Sequence, residues 1–289
     1  MKFSLEIRIH CWGGLGSQLY AWALFEDLKF KLPKRSIVLV LHENGVTKRK
    51  SEISKFFPIA EIRQIHDFVE PRIVKNNSLN HSSLRFNWLK RLIKKLFKTT
   101  GLVSYCDTSD DFMKLKPWVL SVRGNYYRRT ISDNALMQIH SKFQANGFLI
   151  SGQSKESCIH YRLGDLLTLA EKQPNEPSRI FQALKILNSH TQIETLHIFS
   201  DSPELALENL SRYVGALQIE SHSEEILEVF FRLIEAENFI GTSSKISEWV
   251  LIFRLYLHVN GLTIITNEIM NHVHKSCNRR PKLDNIRTY

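Results

Sequence analysis

Short apolar runs alternate with segments of helical periodicity along almost the whole chain, and this alternation leaves few folds open. Leu5–Cys11 reads as a strand and Gly16–Phe30 as a helix. Ser36–His42 and Trp118–Val122 read as strands, and Ile131–Phe143 as a helix. After the mostly polar stretch Gln144–Glu156, which holds Gly147 and Gly152, the alternation resumes. Ser157–Arg162 and Thr195–Ser200 are strands, and so are the shorter run Asn238–Gly241 and a last strand, Leu262–Thr266. Arg179–Asn188, Pro203–Tyr213, Glu224–Ala236 and Ser244–Val259 are helical. A repeating strand–helix order requires parallel strands covered by helices on both faces. The fold class expected is therefore α/β with two Rossmann-like domains facing one another. Residues 1–150 form the first domain and 151–289 the second, the break falling in the polar stretch.

The composition agrees with a globular chain of 289 residues, with 43% hydrophobic and 24% charged. Cys11, Cys106, Cys158 and Cys277 form no C-x-x-C pair, so inert thiols in a reducing compartment are the expectation. The opening residues have charges at Glu6 and Arg8 where a signal peptide would need an unbroken apolar run. No stretch reaches the ~18 apolar residues of a membrane span. The expected location is cytoplasmic. A net charge of +10 suits anionic partners: nucleotides, nucleic acid or an acidic membrane surface. The basic residues match no nucleic-acid motif, so no nucleic-acid partner is expected.

In a doubly wound sheet, ligands sit beyond the carboxyl ends of the strands. Gly13-Gly14-Leu15-Gly16-Ser17-Gln18 follows the first strand and opens a helix. It is either a tight turn or a place where a ligand meets helix N–H groups. His160-Tyr161-Arg162-Leu163-Gly164-Asp165 ends the first strand of the second half. Alternation places His160 and Arg162 on one face. Arg162 is suited to fork onto a diphosphate, with Asp165 holding it, or else the group is a buried Arg–Asp pair beside a satisfied histidine. Asp201 ends the next strand, where it can accept from a nucleoside or cap the helix at Pro203. Ser243-Ser244-Lys245 opens another helix, as a phosphate cradle or an ordinary serine cap.

These four segments, in this order, resemble the α1,2-fucosyltransferases and the wider fucosyltransferase superfamily that shares an HxRxGD peptide. Residues 13–18 are similar to the family's GGLGNQ, with Ser17 in place of Asn. Residues 160–165 fit HxRxGD at every fixed position, and Phe199-Ser200-Asp201 looks like the family's FSD. The segment Phe239–Trp249 is similar to a further family segment, with Ser243 and Glu248 departing from it. The resemblance implies two Rossmann-like domains of the GT-B type. The second would hold GDP-fucose, and transfer would invert the anomeric carbon without metal or other cofactor. No two aspartates stand in the D-x-D spacing of a metal–diphosphate clamp, which agrees independently.

Carried onto this sequence, the resemblance makes Arg162, Asp165 and His160 the catalytic set. Gly14, Gly16, Gln18, Arg162, Asp201, Ser243, Ser244 and Lys245 become donor-binding residues; the resemblance does not settle the general base, for which the sequence offers Asp165, Glu171, His160 and residues beside Gln18. The function implied is fucosyl transfer to a glycan or lipid-linked glycan acceptor in bacterial surface polysaccharide or glycoconjugate synthesis. Another nucleotide sugar, or a non-catalytic sugar-binding relative, stays open. One further segment stands apart. Residues 84–98 place Trp88, Leu89, Leu92, Ile93, Leu96 and Phe97 in a helical stripe opposite six basic side chains and no acid. That composition suits a helix lying peripherally on an anionic membrane surface, or one packed on a core with its lysines in water.

Overall fold

The structure is a computed structural model. It describes residues 6–43, 49–65, 96, 99–148, 154–163, 174–214, 218–222, 224–277 and 285–289. The chain divides into two compact units, Met1–Ile139 and His140–Tyr289. Both are α/β with parallel sheets, as the alternation requires. The division falls within a helix, ahead of the polar stretch that marks the boundary in the sequence.

In the first unit, β1 (Ile7–Trp12) is central to a five-stranded sheet. On one side lie β2 (Ile37–His42) and β3 (Ile62–Ile65). On the other lie β5 (Ser121–Arg123) and then β4 (Val103–Tyr105). β2 is buried at all six positions, which is why it reads as an unbroken apolar run. Helix α1 (Leu15–Lys31) is buried over most of its surface from Leu15 to Leu28. Its polar residues are paired accordingly: Trp22 Nε1 donates to Glu26 at 2.9 Å, and Asp27 takes both Arg129 and Ser132. The short α2 (Ser109–Met113) starts at a capping box, Thr108 and Asp111 each satisfying the other's backbone. Helix α3 (Asp133–Ala145) then crosses the division between the units.

The second unit is a six-stranded sheet in the order β11-β10-β9-β6-β7-β8. Its strands are β6 (Ser154–His160), β7 (Thr195–Phe199), β8 (Gln218–His222), β9 (Ala236–Gly241), β10 (Thr263–Ile265) and β11 (Ile286–Thr288). The helices α4 (Pro177–His190), α5 (Pro203–Val214), α6 (Ile226–Glu235), α7 (Lys245–Tyr256) and α8 (Asn267–Ser276) connect them. Both α4 and α5 begin at a proline, whose fixed φ suits a first helical position. Ile159, Leu184, Leu187, Leu196, Ile198, Leu210 and Ile240 form a core under α4 and α5. The chain folds β6-β7-β8 outward on one side and returns to build β9-β10-β11 on the other. The sheet therefore changes direction between β6 and β9. In the first unit the same change falls between β1 and β5.

Three expectations are corrected. The strand near Trp118 starts at Ser121; Trp118 is exposed, and its indole donates to Thr100 O. β6 ends at His160, so Arg162 lies beyond the strand and the two do not share a strand face. The chain does not finish at β10, because α8 and β11 follow. Among the described residues no helix is long and apolar enough to cross a membrane. All four cysteines are free and buried. Apart from Leu96, the basic amphipathic segment 84–98 offers no side chain within the described residues.

Candidate active site

The second unit gathers three strand ends. β6 ends at His160, whose carbonyl oxygen accepts from Thr242 Oγ1 at 2.8 Å and from Thr242 N at 3.2 Å. The same Thr242 hydroxyl accepts from Arg162 N at 3.3 Å. Thr242 is 1% exposed and sits just past β9, so one hydroxyl joins the exits of β6 and β9. On the other flank, Leu163 N donates to Asp201 Oδ1 at 2.9 Å, tying the β6 exit to that of β7. These are neighbouring strands at the point where the sheet changes direction, the place where open α/β sheets bind ligands.

Helix α7 starts there. Ser244 is its N-cap, accepting from Ser247 N at 3.0 Å. Ser243 N donates to Asn175 Oδ1 at 3.4 Å, and its hydroxyl lies 3.3 Å from that of Thr266. Tyr289 adds a further brace, donating from its hydroxyl to Gly241 O at 3.2 Å and accepting from Asn175 Nδ2 at 3.4 Å. Lys245 is half-buried in the first turn. A helix start of this kind carries partial positive charge from its N–H groups. Arg162, half-buried, adds a full charge beside it.

His160 occupies the base of this arrangement and is 7% exposed. Its Nδ1 lies 2.9 Å from Ser247 Oγ and 3.2 Å from Ser244 Oγ. Burial, and secondarily the Arg162 charge, lower its pKa to about 4 against an opposing pull from Asp201. It is a neutral, hydrogen-bonded imidazole that positions the α7 start, and on this geometry the satisfied-histidine alternative describes it. Ser244 likewise serves as a cap. Asp201 is exposed, and its bond to Leu163 N shows it bracing the neighbouring loop. Asp165 and Glu171 lie outside the described residues.

Gly14, Gly16 and Gln18 belong to the first unit. Gly13 has φ +114°, a backbone conformation that a side chain would strain, and Gly14 is the N-cap of α1. Gly16 is buried in the first turn of α1. Gln18 is 2% exposed and its amide is fully committed. Nε2 donates to Gly13 O at 3.0 Å and Lys50 O at 2.7 Å, while Oε1 accepts from Ile53 N at 3.2 Å. The glutamine locks the glycine turn against the segment after β2.

The same strand ends hold residues that the motifs do not single out. His10, Trp12 and His42 form a stack, with Trp12 and His42 ring centroids 4.2 Å apart and 8° from parallel. His10 Nδ1 is 2.9 Å from His42 Nε2. Burial lowers both pKa values to about 4; His42 adds to the effect on His10, and Arg123 lowers both. Trp12 Nε1 is buried without a hydrogen-bond partner among the described residues. Thr242 stands in the sequence just ahead of Ser243-Ser244-Lys245, but its bonds to the β6 exit leave no mark there; Asn175 and Tyr289 are equally invisible, because each acts through residues distant in sequence. The alternation of His10 and Trp12 on β1 was the one signal available for the stack.

No protein-family model matches the chain, and neither does any curated protein. Solved structures show similar chain traces at low identity. The heptosyltransferase WaaC of E. coli with ADP is 12% identical over 98% of this chain and 92% of its own, with a TM-score of 0.44. The glycosyl transferase family 9 protein of Veillonella parvula is 11% identical over 91% and 81%, at 0.41. POFUT1 in complex with GDP is 12% identical over 87% and 94%, at 0.39.

Proposed function

We propose that this chain is an inverting, metal-independent glycosyltransferase that moves fucose from GDP-fucose to a glycan acceptor, in the assembly of a bacterial surface polysaccharide or glycoconjugate. One observation carries the reading. Arg162 leaves β6 at the direction change of the second sheet, and its backbone is tied through Thr242 to the start of α7. A guanidinium and a helix N-terminus held together in this way suit a diphosphate. The HxRxGD peptide supports the choice of GDP-fucose.

In the proposed reaction the acceptor hydroxyl attacks C1 as the bond from C1 to the GDP oxygen breaks. Charge grows on the departing diphosphate, and Arg162 with the Ser243–Lys245 helix start stabilises it. One preorganised donor of this kind is worth about 3–4 kcal/mol of barrier. Asp201 is assigned to the guanosine. Asp165 and Glu171 are the candidates for the base that takes the acceptor's proton. Transfer should persist in excess EDTA.

The test is hydrolysis and transfer across a panel of nucleotide sugars, with melting curves in GDP, UDP and ADP. GDP-fucose turnover with stabilisation by GDP alone supports the proposal. Turnover of another nucleotide sugar keeps the glycosyltransferase and removes fucose. Stabilisation by GDP without any turnover favours a binding relative.

A further inference from the structure

The edge of the second sheet holds a group that the proposed transfer does not use. His197 on β7 and Glu220 on β8 are register partners, and His222 follows Glu220 by two residues, on the same face. His197 Nδ1 lies 3.0 Å from His222 Nε2 and 3.3 Å from Glu220 Oε2, and the last two atoms are 4.0 Å apart. The point equidistant from three atoms with these separations is about 2.0 Å from each, the bond length zinc makes to imidazole nitrogen and carboxylate oxygen.

The surroundings fit a dication. Among the described residues Glu220, Glu224 and Glu156 are set against the guanidinium of Arg232, leaving two negative charges around the histidines. The far nitrogen of His222, Nδ1, faces Glu224 Oε1 at 3.5 Å, and Arg232 Nη1 holds that same oxygen at 2.5 Å. A carboxylate behind a ligating histidine fixes its tautomer and raises its basicity. The Glu220 side chain is 43% exposed, so solvent reaches the group and water can add to the coordination.

We propose that His197, Glu220 and His222 bind one divalent transition-metal ion of the zinc class, which pins the edge strand β8 to β7. Two imidazoles and one carboxylate favour zinc over magnesium, which requires more oxygen ligands. None of these three residues is among those assigned to the proposed transfer.

Chelator-stripped protein titrated with cobalt(II) and then zinc tests this. The expected result is one equivalent of cobalt bound with the visible bands of low-symmetry coordination, displaced by zinc, and a zinc-dependent rise in melting temperature that magnesium does not produce. His222→Gln and Glu220→Gln should each weaken zinc binding at least about a hundredfold, and Glu224→Gln, behind the ligand, about tenfold. Glu220→Gln changes the most exposed of the three ligands and serves if His222→Gln does not fold. The chain has 12 histidines, so binding of unchanged affinity in the variants would place the metal elsewhere and overturn the proposal. Absence of saturable binding to the stripped wild type would overturn it as well.

Discussion

The two units share one architecture and furnish their strand ends in opposite ways. In the second, the exits of β6, β7 and β9 are polar: Thr242, Asp201, Ser243 and Ser244 hold the loops to one another, with Arg162 among them. In the first, β1 and β2 end in stacked rings, His10, Trp12 and His42, and the following glycine turn is locked from behind by Gln18. The contrast shows that one fold can end its strands in a cation among hydroxyls or in a stack of rings.

The largest effect expected concerns Arg162. Arg162→Lys keeps the charge and loses the planar fork. Its kcat should fall at least about a hundredfold, in line with a donor worth 3–4 kcal/mol, at an unchanged melting temperature. Near-normal turnover would remove the cationic half of the contrast.

Acid stability comes next. The folded pKa of His160 is about 4, against 6.5 unfolded. Between those values the unfolded chain binds more protons, so stability is complete above pH 6.5 and declines as pH falls to 4. The loss from His160 alone is on the order of 3 kcal/mol. His10 and His42 shift in the same direction, so both units should weaken in one window. Denaturant melts at pH 7 and pH 4.5 check this; equal stability at the two values would contradict the burial described.

Gln18→Ala strips three backbone groups of their partner and should cost about 2 kcal/mol, with GDP affinity retained. If GDP binding disappears while stability holds, the glycine turn contacts the donor after all and the two units are less distinct than drawn. The smallest effect is that of Asp201→Asn, which keeps an oxygen for Leu163 N and loses only charge. A rise of about tenfold in the GDP dissociation constant, or roughly 1.4 kcal/mol, is expected by calorimetry. Unchanged affinity with a lowered melting temperature would leave Asp201 as a loop brace.

The buried strands and long helices were legible because their apolar patterns are strong: β2 is buried throughout, and α7 carries Trp249, Val250, Leu251, Ile252 and Phe253 inside. Edge strands were not. β8 reads Gln-Ile-Glu-Ser-His and β3 Ile-Arg-Gln-Ile, too polar and too short to register as strands. With β8 unseen, Glu220 and His222 had no visible relation to His197. Arg162 was found through its motif, and its support was not. Thr242 works through a hydroxyl shared by two strand exits, and Tyr289 and Asn175 meet across the fold. Hydrogen bonds between distant segments leave no period in a sequence.

Arg254 on α7 lies 2% exposed among acceptors. It donates to Thr263 Oγ1 and to the carbonyls of Ile234, Ala236, Glu237 and Leu262, and burial lowers its pKa to about 10. At Gly261 an added methyl carbon would stand 1.8 Å from Glu237 O and 3.0 Å from the same guanidinium. The two positions therefore constrain each other. Removing the arginine takes a donor from the carbonyls of Ile234, Ala236 and Glu237, and enlarging the glycine pushes its backbone away from Glu237 O. A change at either position therefore disturbs the same turn before β10, and repairing it at one position requires an adjustment at the other.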